Sequence, residues 1–398
     1  MKKIAVFTLN GYFNYGNRLQ NYAAQEVLKS LGFKVETVIV KNKPLPSTTS
    51  LTVIRINNIR NMHFKEVVKR ILYKFWSMVN KNKSRVLENK RTEIFKKFTV
   101  DNIIETKFSI SDDYIPDELI SNYDYFITGS DQVWNPSFNY GSSIYFLTFA
   151  PKCKRIAFSP SFGVSEIPLE HQENYQKWLS EMRNLSARED AGAKIIKKLT
   201  GKDALVLVDP TMMLTKEKWL SVSNKATNLT DKKFLLTYFL GGIPDEYKEK
   251  IKKIAKDNNL RIVNLGDIKD FEMYQTGPAE FIGYSNSASL FCTDSFHGVV
   301  FSILMETPFI AFERRGIAES MFSRIETLLR KFKLESRKVN NITSDNQVLD
   351  VDFSHIPPIL EAERNKTLDY LKNALNIKDA NPNLDQEVKN EKRRPTIS

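Results

Sequence analysis

Ile4-Ala5-Val6-Phe7-Thr8-Leu9, followed by Asn10-Gly11-Tyr12-Phe13-Asn14-Tyr15-Gly16-Asn17, is the stretch whose reading decides the fold. The first six residues form a short apolar run and read as a strand, and the next eight form a glycine-bearing loop. Residues 18–31 then carry Leu19, Tyr22, Ala23, Val27 and Leu28 at helical spacing, ended by Gly32, and residues 34–40 read as a second strand. Strand, loop, helix and strand in that order make a βαβ unit, which implies a parallel sheet covered by helices.

The pattern continues along the chain. Residues 123–129 and 155–159 read as further strands of the first unit. A second series of strand signals falls at 204–208, 234–240, 260–265, 288–292 and 309–312, with a helix over 190–199. A last helix, over 359–375, follows the final strand and is placed to return to the first domain. The expected fold class is therefore α/β, with two Rossmann-like, doubly wound domains of the glycosyltransferase-B type. The first spans 1–180 with a basic helical insertion at 54–98, and the second spans 181–358. Residues 359–376 form the closing helix, and the polar, charged residues 377–398 are expected to be disordered.

At 398 residues and 41% hydrophobic, the chain can bury two full cores. Cys153 and Cys292 lie far apart in apolar surroundings and read as reduced core residues. The first residues lack a small-residue cleavage site, and no run reaches the ~18 apolar residues that span a bilayer. A cytoplasmic protein is expected.

The net charge of +12 is local: thirteen Lys and Arg stand against three Glu between residues 54 and 98. Within that segment, Phe64, Val67, Val68, Ile71, Leu72, Phe75 and Val79 share one helical face. Such a helix either lies on an anionic membrane or docks its apolar face on the sheet and shows water its lysines. The first reading makes the protein a peripheral one at the inner membrane face. A nucleic-acid partner is not expected, since one concentrated patch does not make an extended basic surface. A binder of nucleic acid or membrane without catalysis would show steeply salt-dependent binding and no response to His297→Ala.

Four constellations carry chemistry. The first is Thr293-Asp294-Ser295-Phe296-His297-Gly298, at the end of a buried strand and the start of a buried helix. Strand carboxyl ends are where α/β proteins bind ligands, and a helix start offers free N–H groups to anions. There His297 can meet a phosphate and hand over a proton near neutral pH. The competing reading is a plain capped helix start, with Asp294 or Ser295 as the cap. The second is Gly129-Ser130-Asp131-Gln132-Val133-Trp134-Asn135, where Asp131 suits proton acceptance and Trp134 offers a flat face of the sort that stacks on sugar rings. An Asx-type turn with Trp134 in the core fits the same residues. The third is the loop and helix start holding Asn17 and Gln20. The fourth is the set of cations Arg188, Arg314, Arg315 and Arg324, whose planar forks suit carboxylate and phosphate but serve surface salt bridges as readily. No metal site is read: the four histidines are scattered, with no H-x-x-x-H or C-x-x-C spacing.

Taken in order, six motifs carry a resemblance. They are residues 11–23, Gly129-Ser130-Asp131-Gln132-Val133-Trp134-Asn135, Ser186-Ala187-Arg188-Glu189-Asp190, Asp209-Pro210-Thr211, Thr293-Asp294-Ser295-Phe296-His297-Gly298 and Met321-Phe322-Ser323-Arg324-Ile325. With them the chain resembles the polysaccharide pyruvyl transferase family from about residue 3 to 334. The resemblance implies transfer of pyruvate from phosphoenolpyruvate to two hydroxyls of one sugar, giving a cyclic ketal and inorganic phosphate. It implies His297 and Arg188 as donor-side residues, with His297 as general acid. Many members have an arginine two residues before the histidine; Ser295 stands there in this chain, so Arg314, Arg315 and Arg324 are candidate substitutes. Asp131 is the candidate base, and Asn17, Gln20, Gln132 and Trp134 are expected on the acceptor side. No cofactor or metal is expected, since fixed cations can hold the charge of the donor. The expected partners are phosphoenolpyruvate, a lipid-linked saccharide and, through 54–98, an anionic membrane surface. A nucleotide-sugar-dependent glycosyltransferase of the same fold is the alternative.

Overall fold

The computed structural model describes residues 1–41, 81–139, 142–224, 233–314, 322–344 and 346–377. Arg315, residues 54–80 of the basic insertion and residues 378–398 lie outside the described residues.

The first sheet is wholly parallel, in the order β3 (Glu105–Ile110), β2 (Lys34–Val40), β1 (Lys3–Phe7), β4 (Tyr125–Gly129), β5 (Arg155–Phe158). This is the doubly wound order in which the chain reverses direction between β1 and β4, leaving a crevice at their carboxyl ends. The strand β3 has no counterpart in the sequence reading. Its residues Glu-Thr-Lys-Phe-Ser-Ile show no apolar run: Thr106 and Ile110 are buried while Lys107 and Phe108 are exposed, as suits an edge strand. The second sheet is also parallel, in the order β11 (Phe309–Ala311), β10 (Leu290–Thr293), β8 (Phe234–Tyr238), β9 (Arg261–Leu265).

The packing of the first sheet extends past residue 180. The pair β6 (Ser186–Ala187) and β7 (Leu205–Val206) continues the first sheet through a parallel bridge between Ile156 and Asn184. Leu185, Ala187, Ile195 and Ile196 bury their side chains in the core that holds Ala5, Phe7 and Phe126. The second sheet therefore begins only at β8. The closing helix does return to the first domain: Tyr370, on the helix Ile356–Ala374, donates its hydroxyl to Ala157 O at 2.7 Å, and Tyr125 donates to Leu375 O at 2.7 Å.

Helix α1 (Tyr15–Ser30) starts three residues earlier than the apolar spacing predicts, because the Asn14 side chain caps it by accepting from Asn17 N at 3.3 Å. It is buried along most of its length, since it runs between the two sheets. Its polar face is partly satisfied internally: Gln20 donates to Thr8 Oγ1 at 2.7 Å, and Gln25 donates to Thr37 Oγ1 and to Ile104 O, each at 2.8 Å. On the other face Tyr15 stacks on Phe281 of the second domain at 4.6 Å, and Tyr22 meets Trp219, which packs against Phe301. One apolar cluster thus runs through both domains. Each such aromatic buried stabilises the pair by ~1.5–3 kcal/mol. A large apolar junction of this kind holds domains in a fixed relation.

Helix α2 (Lys81–Asn102), the described part of the insertion, braces this junction. Its Arg91 is buried; it donates to Tyr15 Oη at 3.1 Å, Tyr274 O at 2.6 Å and Phe13 O at 3.2 Å, so one guanidinium holds groups from both domains. Cys292 is buried as expected, whereas Cys153 is exposed on a short turn before β5. No helix among the described residues is long and apolar enough to cross a membrane.

Candidate active site

The site forms where the loops after β1 and β4 meet the loop after β10. Helix α3 (Asp190–Thr200) follows β6, and α4 (Phe296–Met305), in the second domain, follows β10 and is buried throughout. Ser295 caps α4, accepting from Gly298 N at 3.3 Å, which sets Phe296 and His297 in its first turn. Asp294 turns the other way. Its carboxylate accepts from Leu240 N at 2.7 Å and Gly241 N at 3.1 Å, and receives Arg314 Nε at 3.1 Å, tying the ends of β8, β10 and β11 together.

Asp209 is the hub. Its Oδ2 accepts from Arg188 Nη1 at 2.7 Å and Ser130 Oγ at 2.6 Å, and lies 3.6 Å from His297 Nε2. Its Oδ1 is fixed by Thr211, through N at 3.0 Å and Oγ1 at 2.7 Å. Burial alone would push this carboxyl up, but His297, Arg188 and Ser130 outweigh it and hold the group well below the usual carboxylate range. Arg188 is itself buried, with its guanidinium 4.2 Å over the Phe296 ring and Nη2 3.8 Å from Asp131 Oδ1. Among the described residues its Nε and Nη2 have no hydrogen-bond partner, and neither does His297 Nε2. Buried donors left in this way cost ~1–3 kcal/mol each, which an anion accepting them would offset.

Asp131 sits just past β4 in the left-handed region, at φ 59°, with Oδ1 accepting from Gln132 N at 2.9 Å and Oδ2 from Asn17 Nδ2 at 3.4 Å. The contact to Asn17 crosses the crevice between the β1 and β4 loops. A non-glycine residue at positive φ costs ~1–3 kcal/mol, and such strain gathers at functional sites. Arg324, in the helix α5 (Ser323–Lys331), is buried close by. Burial, and then the like charge of Arg188, pull its guanidinium down to about 10, while Glu189 and Asp131 act in the opposite sense.

The structure therefore gathers His297, Arg188, Asp131, Asn17 and Arg324 around Asp209, with Arg314 one step away on Asp294. The remaining candidates lie outside that group. Trp134 is fully buried, stacked on Phe146 at 5.1 Å and 2°, with its indole N–H donated to Tyr145 O at 2.9 Å. Gln20 is buried, its Nε2 donating to Thr8 Oγ1 at 2.7 Å and to Asn17 O at 3.1 Å. Gln132 turns its side chain onto Asn135, accepting at 2.8 Å. The Ser295 hydroxyl serves as a helix cap and faces Gly298 N. Arg315 lies outside the described residues. Sequence reasoning noted Asp209-Pro210-Thr211 as a strand end but gave Asp209 no role. Gly16, which the sequence shows only as part of a glycine-bearing loop, packs so closely that an added Cβ would lie 1.9 Å from His297 Nδ1. The only sequence signal for either was position at a strand or helix boundary. Among the described residues no group of three or more His, Cys, Asp and Glu could hold a metal ion.

Two Rossmann-like domains with a histidine, arginines and carboxylates in the crevice between them define a two-domain α/β transferase. A model of the polysaccharide pyruvyl transferase family matches residues 14–315, most of the chain, and the protein belongs to that family. No curated protein sequence matches the chain significantly. Among solved structures, UDP-GlcNAc 2-epimerase from Neisseria meningitidis is similar at 10% identity and a TM-score of 0.46, covering 95% of this chain and 100% of that one. UDP-GlcNAc 2-epimerase from Methanocaldococcus jannaschii is similar at 11% identity and a TM-score of 0.42, covering 93% of each chain. MurG of Acinetobacter baumannii is similar at 7% identity and a TM-score of 0.39, covering 95% of this chain and 100% of that one.

Proposed function

We propose that this transferase moves the pyruvate skeleton of phosphoenolpyruvate onto two hydroxyls of one sugar in a cell-surface polysaccharide precursor, releasing inorganic phosphate. One observation carries the reading: Arg188 is buried, held on Asp209, and keeps Nε and Nη2 without a hydrogen-bond partner beside the imidazole of His297. A small dianion or trianion is the ligand such a fork suits.

In this reading Arg188 and Arg324 hold the carboxylate and phosphate of the donor, with Arg314 at the rim. His297, oriented by Asp209, protonates the methylene carbon, and C2 becomes an oxocarbenium-like centre. A sugar hydroxyl adds to C2 and gives its proton to Asp131. The C2–O bond to phosphate then breaks, the leaving phosphate takes up a proton, and the second hydroxyl closes the ketal. The fixed cations stabilise the charge that builds on the departing phosphate.

The test is product analysis. Incubation with phosphoenolpyruvate and lipid-linked sugars should release phosphate and add the mass of one pyruvate less water. Release of a nucleoside diphosphate from a sugar nucleotide instead would establish the alternative, a glycosyltransferase. The excess of lysine and arginine between residues 54 and 98 supports an acceptor held at an anionic membrane. Neutralising the cations at 55–74 should weaken binding to anionic vesicles more than it slows turnover of a soluble acceptor. Equal loss of both would count against a membrane role.

A further inference from the structure

Phe13 is the most exposed aromatic side chain among the described residues, at 71%. Its place is unusual for a stray surface ring. It lies in the loop after β1, one residue before the Asn14 cap of α1 and three before Gly16, which touches His297. Three residues span at most ~11 Å, so the Phe13 backbone lies within that distance of Gly16, which packs on the imidazole. Its backbone is held: Arg91 donates to Phe13 O at 3.2 Å, and Asn17, bonded to Asp131, also accepts from Gly11 N at 3.2 Å. The ring edge rests on Gly11, where an added Cβ would lie 2.6 Å from Phe13 Cε1. A fixed backbone thus presents an aromatic face to water on the loop that leads into Gly16 and Asn17.

We propose that Phe13 is the stacking platform for the acceptor saccharide, the role that Trp134, buried in the core, cannot fill. The apolar face of a pyranose would lie on the ring, turning its hydroxyls towards Asp131 and His297. The proposal rests on the acceptor being a saccharide, as the proposed function has it, but not on the identity of the donor.

The experiment measures binding of lactose, mannobiose and chitobiose by ligand-observed NMR, with no donor present. The proteins compared are wild type, Phe13→Ala, Phe13→Trp and, as a control, Tyr114→Ala, whose exposed ring lies on another loop. Because most of the Phe13 ring is in water, its removal does not threaten folding. The expected result is binding of at least one disaccharide, weakened about tenfold in Phe13→Ala, kept in Phe13→Trp and unaffected by Tyr114→Ala. In turnover, Phe13→Ala should raise the acceptor KM by a similar factor and leave the phosphoenolpyruvate KM within about twofold. Equal binding by wild type and Phe13→Ala, or no binding of any disaccharide by wild type, overturns the proposal. Failure of phosphoenolpyruvate to act as donor, with the disaccharide result intact, would instead remove the donor assignment alone.

Discussion

Gly16 and His297 share one space: a Cβ built on Gly16 would lie 1.9 Å from the imidazole Nδ1. The first turn of α1 in one domain is thereby a wall for the imidazole of the other. Gly16→Ala should displace the ring from Asp209. The expected outcome is a fall in kcat of ~100-fold with a stability loss of only ~1–3 kcal/mol. Steady-state kinetics and thermal unfolding on the same sample check it; a variant with normal kcat would show that the ring position is unimportant.

Asp209 carries a pH signature. Its folded carboxyl lies below the ordinary carboxylate value of ~3.9, so its contribution to stability is complete above that value and drains away as pH falls through it towards the folded one. The stability gap between wild type and Asp209→Asn should therefore be constant from about pH 5 to 8 and narrow below about pH 4. Denaturant unfolding across that range would show it. A gap that closes between pH 6 and 7 would contradict this account of the hub.

Arg188 offers a test of shape against charge. Arg188→Lys keeps one positive charge but loses the planar fork that holds Asp209 and leaves two donors over. The phosphoenolpyruvate KM should rise by ~10–100-fold, since charge-assisted bidentate contacts are lost. Little change would mean that the donor is held by other cations.

His297 is tested by Asn, which keeps a polar group of similar reach without an ionisable ring. Turnover should fall by ~10²–10⁴-fold, the usual contribution of a general acid. Protection of the variant by phosphoenolpyruvate against thermal unfolding should persist through Arg188. Loss of protection together with turnover would make His297 a binding group first.

Arg91 concerns the junction of the domains. Arg91→Met leaves the carbonyls of Phe13 and Tyr274 and the Tyr15 hydroxyl without this donor. Stability should drop by ~2–4 kcal/mol, and amide exchange should quicken at residues 274–276. Normal exchange there would place the bracing role elsewhere, in the Tyr15–Phe281 stack.

Much of the fold was legible because apolar runs and glycine breaks reveal strands buried on both faces, as for β1, β4, β8 and β10. The edge strand β3 escaped because half its residues meet water, and the start of α1 escaped because a cap is a side-chain contact rather than a periodicity. The segment after residue 185 is a related case. Residues 186–200 carry the same α/β signature as the second series, and only the packing of Ile195 and Ile196 assigns them to the first sheet.

At the site, local sequence determined the chemistry on offer: a histidine and a serine cap opening a buried helix, a carboxylate after a buried strand, and several arginines at element ends. Tertiary structure alone decided which of these meet. Asp209, Arg188, Ser130 and His297 come from four separate segments and converge on one buried carboxylate. It also decided between Trp134 in the core and Phe13 in water, two aromatic residues that local pattern cannot rank. The physical reason is that strand and helix signals are short-range, set by the period of neighbouring side chains. Burial, charge pairing and unspent donors depend instead on which distant elements the two sheets bring together.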